Sequence, residues 1–236
     1  IEAAEDIGYP VVVKPSDGNH ARGVFTNIRT AKEVADAYPL ADAEGSEVMV
    51  ERFIKGSEHR LLVVGGKMVA ANKGDTVSVI GDGEHSIDQL IESQINSDPR
   101  RGVEHEFPLY LIKLDNYPAA QMEVSRQGYT GSSVPPAGQE VMIVRTSNMA
   151  FDVTDEVHPD NAELACLAAR IVGLDIAGID LVCEDISKPL DQQRGAIVEV
   201  NAGPGLLMHI KPAVGQPRPV GEAIVDHLFE KDEDSR

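Results

Sequence analysis

The sequence predicts an α+β protein in which short strands, paired as hairpins, alternate with helices. Gly65-Gly66 separates two apolar runs and has the form of a two-residue hairpin turn. Thr30 with Glu33, and Ser86 with Gln89, have the capping-box spacing that marks the start of a helix. Because 42% of the 236 residues are hydrophobic, the chain can bury the core of one large domain or two modest ones.

The first quarter of the chain predicts a small α+β unit. The opening IEAAEDIG is typical of a helix already under way that ends at Gly8, so we expect the chain to be a piece of a longer enzyme. A long glycine-containing loop separates the first two strands. The elements predicted next are strands over residues 9–13 and 23–28, a helix from Thr30 through Tyr38 and a strand over residues 47–54.

The rest of the chain predicts a second hairpin, further helices and two buried strands. Residues 98–126 show the weakest pattern and are assigned to helix and loop. In the helix predicted over residues 160–172, Leu164, Leu167, Ile171 and Val172 are expected to face the core. The other predicted elements are strands over residues 60–64, 67–71, 141–144, 176–183 and 196–200, a helix after Ser86 and a helix near residues 219–229.

Charge and composition exclude several classes of protein. With 39 acidic and 21 basic residues the formal charge is −18, which disfavours binding to nucleic acid or to anionic membranes. No apolar run reaches the roughly 18 residues of a membrane span, and the start is unlike a signal peptide. Cys166 and Cys183 have no CxxC partner, so neither a disulfide framework nor a zinc site is indicated. We therefore expect a soluble, cytoplasmic protein.

Oxygen ligands cluster on the last two predicted strands. Alternate residues of a strand share a face, so Glu199 and Asn201 should point together, with Val198 and Val200 in the core. Together with Asp180 they would offer the hard oxygen ligands that magnesium prefers. The alternative is that these are ordinary polar residues at strand ends. Burying two carboxylates without a cation or partner would be costly, which favours a magnesium site.

The segment VVVKPSDGNHARGV predicts a phosphate-covering flap. Lys14 ends an apolar strand, and the loop that follows holds Gly18 and Gly23 around His20 and Arg22. Such a loop presents main-chain amides and cations to a phosphate chain. The chain contains no GxxxxGK[ST] pattern, so this is not a Walker loop. The alternative is a common glycine-rich hairpin with a solvated histidine.

The segment VMVERFIKGSEHRLLVV predicts a nucleotide-binding crossover. Glu51 and Arg52 end a strand and offer main-chain donors and acceptors to a purine edge. Phe53 and Ile54 would be apolar walls, and Glu58 could accept hydrogen bonds from ribose hydroxyls. The alternative is an ordinary amphipathic strand and turn.

The order of these segments resembles the ATP-grasp superfamily of carboxylate–amine ligases. A strand-end lysine with a glycine flap precedes Glu-x-x-Ile-x-Gly, an Asp on a strand and Glu-x-Asn-x-x-Pro-Gly. The resemblance extends from residue 1 to about residue 230 and implies an α+β ATP-grasp fold. It implies a lid subdomain over residues 1–50, and a core subdomain over residues 51–230 with a mainly antiparallel sheet, an adenosine hinge and a magnesium site. An acidic tail over residues 231–236 would follow.

Within the superfamily, several segments are similar to the ATP-grasp domain of the cyanophycin synthetase family. Among them are KPSDGNHARGV, VERFIKGSEHRLLVV, NSDPRRG and EVNAGPGLLMHIKP. The resemblance implies that ATP phosphorylates the C-terminal carboxylate of the polymer and that the α-amine of aspartate attacks the acyl phosphate. The implied partners are cyanophycin or an Asp-Arg primer, and aspartate, with ATP and Mg²⁺ as cofactors. A homo-oligomer is implied for the intact enzyme.

The same resemblance implies a role for each matching residue. Lys14 would hold the ATP phosphates, and His20 would accept the proton of the attacking amine. The other implied roles are adenosine binding by Glu51, Arg52, Phe53, Ile54 and Glu58, magnesium binding by Asp180, Glu199 and Asn201, and phosphate contacts from Arg22 and, beside Asn148, Arg145. A further phosphate-side lysine of the superfamily should precede this chain, so we expect the chain alone to be inactive. The segment RTSNMAFDVTDEVHP lacks the Gly-Gly usual in the family.

Two other functions stay open. The chain could belong to another ATP-grasp ligase, joining a different amino acid to a peptide or glutathione-like acceptor, because such enzymes share nucleotide residues but not acceptor residues. It could also be a nucleotide-binding module without catalysis. The poorly patterned segments would carry the acceptor choice.

Overall fold

The computed structural model describes residues 1–17, 22–103, 106–145 and 150–229. Contacts between Cα atoms divide the chain into two compact units that are discontinuous in sequence. Unit 1 comprises Ile1–Phe53, Thr76–Asp98 and Leu111–Arg145, and unit 2 comprises Ile54–Asp75, Pro99–Tyr110 and Thr146–Arg236. The predicted lid over residues 1–50 and core over residues 51–230 stay a prediction, and the tail over residues 231–236 lies outside the described part.

The strands of the described residues are short. In chain order they are β1 (Val11–Pro15), β2 (Phe25–Ile28), β3 (Val48–Arg52), β4 (Ser57–Val64), β5 (Lys67–Lys73), β6 (Val77–Ile80), β7 (Arg101–Gly102), β8 (Leu109–Tyr110), β9 (Glu140–Val144), β10 (Phe151–Asp152), β11 (Ile176–Cys183) and β12 (Ala196–Ala202). Most pair antiparallel, and β7 with β8 is parallel.

The described residues also form seven α-helices. They are α1 (Glu2–Ile7), α2 (Ala31–Asp42), α3 (Ile87–Leu90), α4 (Pro118–Arg126), α5 (Pro159–Val172), α6 (Leu207–Ile210) and α7 (Val220–Leu228). A π-helical segment, Ile91–Asn96, continues α3. Helices and mainly antiparallel strands in one chain confirm the α+β prediction.

Unit 1 opens with a three-stranded sheet in the order β2–β1–β3. Helix α2 packs on it through Val34, Ala37 and Ala41, which are buried in one cluster with strand residues such as Phe25. The hydroxyl of Thr30 accepts from the Glu33 N–H, as the capping signal predicts. The helix runs to Asp42 rather than ending at Tyr38, and its last turns bury Ala41 against the sheet.

The second cluster of unit 1 forms around the β6–β9 pair. Ser86 and Gln89 make both bonds of the predicted capping box. The apolar side of α3 and its π-helical continuation packs there with α4, which lies in the stretch of weakest sequence pattern. The core residues include Val79, Ile87, Leu90, Ile91, Ile95, Val124, Val141 and Ile143.

Unit 2 is built on a five-stranded antiparallel sheet in the order β10–β5–β4–β11–β12. The predicted hairpin is present between β4 and β5. Gly65 and Gly66 both have positive φ, of 55° and 75°, which explains why glycine occupies this tight turn. Helix α5 packs on one face with Leu61, Ile179 and Leu181, and α7 contributes Val220 to the cluster on the other face.

The predicted inward face of α5 is wrong. Leu164 and Leu167 are 37% and 43% exposed, and Ile171 and Val172 are 75% and 56% exposed. The buried residues are Asn161, Ala165 and Ala169. Small side chains let the helix approach the sheet closely, so the larger apolar residues lie on its outer side.

The hydrogen bonds of Asn161 explain why this polar residue lies on the buried face of α5. Its amide donates to the carbonyls of Ile186 and Lys188 and accepts from the Leu190 N–H, all at 2.9 Å. The loop after β11 is thereby tied to the helix, and the buried amide is paired on both sides.

A β-bulge corrects the predicted orientation of Val198. The register between β11 and β12 shifts between Asp180 and Leu181. Ile197 and Val200 therefore pack on the core cluster, whereas Val198 is half-buried and is not among its residues. The predicted inward position of Val200 is correct.

Within the described ranges no helix has both the length and the apolar character that a membrane crossing requires. Cys166 and Cys183 are free thiols. Burial raises the pKa of Cys183 to about 11, which keeps it protonated at neutral pH.

Candidate active site

A row of five polar residues crosses the whole sheet of unit 2, and we call it the polar row. Consecutive strands contribute Asp152, Asn72, Arg60, Asp180 and Glu199, each paired with the next. Directly paired residues of neighbouring strands project to the same face. Since their neighbours along each strand pack under α5, the row lies on the opposite face.

The centre of the row is an ion pair between Arg60 and Asp180. The guanidinium holds the carboxylate through two bonds, Nε to Oδ1 and Nη2 to Oδ2, the latter at 2.7 Å. Asp180 is 1% exposed, and a carboxylate so deeply buried requires such a partner. Burial opposes the charge on Arg60, but the hydrogen bonds and charge of Asp180 outweigh it and raise the pKa of Arg60.

Gly178 makes room for Arg60. A Cβ atom at this position would lie 2.7 Å from the Cβ of Pro204 and 2.9 Å from the Cδ of Arg60. Both distances are shorter than ordinary contacts. A glycine on β11 therefore lets the arginine stem and Pro204 cross close to the strand.

The predicted magnesium ligands come together on this face. Glu199 is the direct partner of Asp180, and the Asn201 amide donates to Asp180 Oδ2 at 3.1 Å. Two carboxylates and an amide oxygen form the hard oxygen set that suits Mg²⁺. No group of three His, Cys, Asp or Glu side chains in the described residues has metal-binding geometry, and this set contains only two carboxylates. The magnesium assignment stays a prediction.

Lys14 and Glu51 pair with each other in unit 1. The ammonium Nζ lies 2.8 Å from Glu51 Oε1, across the neighbouring strands β1 and β3. Their side chains are 18% and 30% exposed, so the pair is partly shielded from solvent. Lys14, the predicted phosphate ligand, is thus held in place by Glu51, which was predicted to bind adenosine.

The predicted flap is only partly described. Gly18, Asn19 and His20 lie outside the described residues. Arg22 is exposed, and its Nε lies 3.5 Å from Glu44 Oε2. Such an exposed pair contributes little to stability.

The predicted adenosine residues divide between the two units. In unit 1, Arg52 is exposed and the Phe53 N–H donates to the Pro10 carbonyl at 3.1 Å, so this main-chain donor is already used. In unit 2, Ile54 and Glu58 are half-buried. Glu58 lies on β4, two residues before Arg60, and its main-chain carbonyl accepts from the Gly74 N–H.

Arg145 is held by a buried carboxylate in unit 1. Its Nε and Nη2 contact the two oxygens of Glu123 at 2.8 and 2.7 Å. Arg126 contacts the same carboxylate and also Glu33, which ties α4 to α2. Asn148, which would act beside Arg145, lies outside the described residues.

Arg60 and Glu123 were not among the predicted site residues. Both are charged residues within otherwise apolar or helical segments, which is the signal that could have identified them. Their partners lie 120 and 22 residues away along the chain. Pairing Arg60 with Asp180 therefore requires the strand order β4–β11, which the sequence pattern alone does not provide.

Comparison with known proteins identifies relatives over the whole chain. A family profile described as "D-ala D-ala ligase C-terminus" matches residues 1–96. The chain is 46% identical over 241 residues to cyanophycin synthetase of Trichormus variabilis, a match covering 100% of this chain and 26% of that protein. It is 32% identical to the glutathione biosynthesis bifunctional protein GshAB of Clostridium perfringens, over 93% of this chain and 29% of that protein.

A solved structure has a similar fold. The bifunctional glutathione synthetase of Pasteurella multocida matches with a TM-score of 0.56 and 30% identity, over 93% of this chain and 30% of that one. The chain therefore spans between a quarter and a third of the length of these relatives.

Proposed function

We propose that the chain is part of an ATP-grasp ligase, an ATP-dependent enzyme that joins a carboxylate to an amine, because it is similar to a cyanophycin synthetase and to glutathione-synthesising proteins over nearly its whole length. More narrowly, it activates the C-terminal carboxylate of a peptide as an acyl phosphate and adds aspartate to the backbone of cyanophycin, an aspartate–arginine polymer. The 46% identity to a cyanophycin synthetase over the whole chain supports this substrate choice. The polar row, with Arg60, Asp180 and Glu199 side by side, is the structural observation that carries the proposal.

The binding steps follow from the charges of the reactants. A carboxylate is a poor electrophile, and phosphorylation turns its oxygen into a leaving group. Catalysis then consists mainly of aligning the reactants and neutralising phosphate charge. Lys14, Arg22 and Arg145 are proposed to contact phosphate oxygens, and Arg60 adds a cation beside the magnesium ligands. Magnesium bound to Asp180, Glu199 and Asn201 would supply further neutralisation of the phosphates.

The bond-forming step requires a proton acceptor. The α-amine of aspartate must lose a proton as it attacks the acyl phosphate, and a histidine has a pKa suited to this role near neutral pH. We assign it to His20. Adenosine is assigned to Glu51, Arg52, Phe53, Ile54 and Glu58.

A second candidate is a ligase that acts on a glutathione-like acceptor. The similarity to GshAB and the fold match to a bifunctional glutathione synthetase favour it. The chain is 32% identical to GshAB and 46% identical to cyanophycin synthetase, so this function is the second choice.

One assay separates these functions. The full-length protein is incubated with ATP, Mg²⁺, aspartate and an Asp-Arg primer, and both ADP release and primer mass are measured. We expect ADP release and primer extension that require both aspartate and primer. Turnover with glutathione precursors instead would favour the second candidate, and no turnover with either would indicate a nucleotide-binding module. The chain of residues 1–236, assayed alongside, is expected to be inactive.

The magnesium assignment is tested with Glu199→Gln. Replacing a carboxylate ligand by an amide should lower aspartate-dependent ADP release by at least about 100-fold and shift the magnesium dependence to higher concentration. The matched control is Glu222→Gln on α7, an exposed glutamate outside the polar row. Near-normal turnover by Glu199→Gln would exclude Glu199 as a ligand.

A further inference from the structure

Two buried side chains, one in the polar row and one near it, have polar atoms without a hydrogen-bond partner among the described residues. These atoms are both ring nitrogens of His209 and the carbonyl oxygen Oδ1 of Asn72. Both residues are fully buried. An unpaired buried donor or acceptor costs about 1–3 kcal/mol, and native proteins rarely leave one without a protein or water partner.

Both residues lie in unit 2, and a hydrogen bond links Asn72 to the residue before His209. Asn72 stands in the polar row between Asp152 and Arg60, and its Nδ2 donates to the carbonyl of Met208 at 2.9 Å. A main-chain carbonyl can only accept, so the amide nitrogen must face Met208 and Oδ1 must be the unpaired atom. His209 follows Met208 in the chain, and the charges of both Arg60 and Asp152 act on its ring.

The charges around this place exclude an ion as the missing partner. Asp152 is neutralised by Arg218, whose Nη2 lies 2.6 Å from Oδ2, and Arg60 is neutralised by Asp180. Each ion pair is balanced within itself, so this place has no net charge that an added ion would neutralise. Burial, with the charge of Arg60, lowers the pKa of His209 to about 4, so at neutral pH the ring has one donor and one acceptor.

The missing partner must therefore be neutral, and it must be able both to donate and to accept. We propose that Asn72 and His209 form an enclosed water-binding site, and that through it they act as positioning residues for the Arg60–Asp180 pair. One water can donate to Asn72 Oδ1 and exchange a second bond with a ring nitrogen of His209. Buried waters typically make about three hydrogen bonds of this kind.

The positioning role follows from the order of the polar row. Asn72 is the direct neighbour of Arg60 on the side away from Asp180. A water held there keeps polar surroundings on that side of the guanidinium, while Asp180 fixes the other side. Replacing the water by hydrocarbon would let Arg60 shift. This part of the inference rests on the proposed function, because only there does Arg60 serve the reaction.

The water site is tested by a crystal structure of the full-length protein at a resolution that shows ordered water. We expect a water within hydrogen-bond distance of both Asn72 Oδ1 and a His209 ring nitrogen. Direct bonds from these atoms to protein groups, or an empty gap beside them, would overturn the site. This result does not depend on activity, so it stands even if the wild-type protein fails the ligase assay.

The positioning role is tested by kinetics of the full-length ligase. His209→Phe should lower kcat about tenfold with the KM for ATP unchanged, since Arg60 acts in the reaction and not in nucleotide affinity. His209→Gln keeps a donor and an acceptor and should recover most of kcat. Exposed His85 provides the control, and His85→Gln should leave kcat unchanged. A lower thermal midpoint with unchanged kcat per folded molecule in His209→Phe would show a purely structural role and overturn the positioning.

Discussion

At the scale of single residues, the proposed site cations are held by carboxylates of the same unit. Lys14 pairs with Glu51, Arg60 with Asp180, and Arg145 with Glu123. Charges fixed in this way need little reorganisation when phosphate charge develops, which is the main source of electrostatic catalysis. The same pairs cancel charge within each unit, which makes buried arginine and carboxylate side chains tolerable.

Lys14→Met tests the phosphate contact. Loss of a charge-assisted contact should weaken binding of a non-hydrolysable ATP analogue by at least about tenfold, because bonds to charged groups contribute about 1.5–3 kcal/mol. The measurement is a calorimetric titration of the full-length protein. Lys32 provides the control, since its side chain is exposed and pairs with Asp36 within α2. Equal affinity in Lys14→Met and Lys32→Met would remove Lys14 from the nucleotide site.

Sequence patterns predicted site residues on one strand better than the residues that pair with them from other strands. Chemistry and spacing predict that Glu199 and Asn201 lie on one face beside Asp180, and the strand register places them together. The neighbouring Arg60 could not be predicted in this way, because its position depends on a pairing between β4 and β11 that only tertiary structure fixes.

At the scale of elements, α5 shows why hydrophobicity alone misplaced a helix face. The pattern of large apolar residues predicts that Leu164 and Ile171 point inward, but Ala165 and Ala169 are the buried residues. Close packing of a helix on a sheet rewards small side chains as much as large ones. The helix bounds themselves were predicted well, because Gly173 ends the helix in a left-handed conformation.

Ala169→Leu tests this face of α5. A leucine there has no room against the sheet, so we expect the free energy of unfolding to fall by about 1–3 kcal/mol. Ile171→Ala, on the exposed side two residues away, should change it by less than about 0.5 kcal/mol. Urea denaturation of the chain followed by circular dichroism measures both. A larger loss for Ile171→Ala than for Ala169→Leu would contradict the observed packing.

At the scale of the whole molecule, the two units are each assembled from separate parts of the chain. The sequence pattern predicts local elements such as the β4–β5 hairpin, but units composed of three segments each depend on contacts between distant residues. The poorly patterned stretch over residues 98–126 contributes to both units, with α4 in unit 1 and β7 and β8 in unit 2. Its mixed pattern is consistent with this division between two cores.

Two buried histidines make the stability of unit 2 depend on pH. Burial lowers the pKa of His59 and of His209 from 6.5 to about 4. Between these values the unfolded chain binds protons at both rings and the folded unit does not. The free energy of unfolding should therefore have its full value above about pH 6.5. It should decrease as the pH drops towards 4, by about 3 kcal/mol for each histidine.

His59→Gln separates this effect from general acid denaturation. His59 lies on β4 with its Nδ1 3.8 Å from Cys183 Sγ, and glutamine does not titrate in this range. Hydrogen exchange of β4 and β11 amides, measured at pH 7.5 and pH 5, should show a smaller loss of protection in the variant than in the wild type. His85→Gln in unit 1 should leave the loss in unit 2 unchanged. If His59→Gln and the wild type lost the same protection, the buried neutral ring of His59 would not be the cause, and the acid sensitivity of unit 2 would have to come from His209 or from its carboxylates. Asp152 makes the carboxylate alternative distinguishable. Burial opposes its charge, but hydrogen bonds from Arg218 and Thr154 and from main-chain N–H groups outweigh burial and lower its pKa to about 2. Its contribution is therefore lost only as the pH falls from about 4 towards 2.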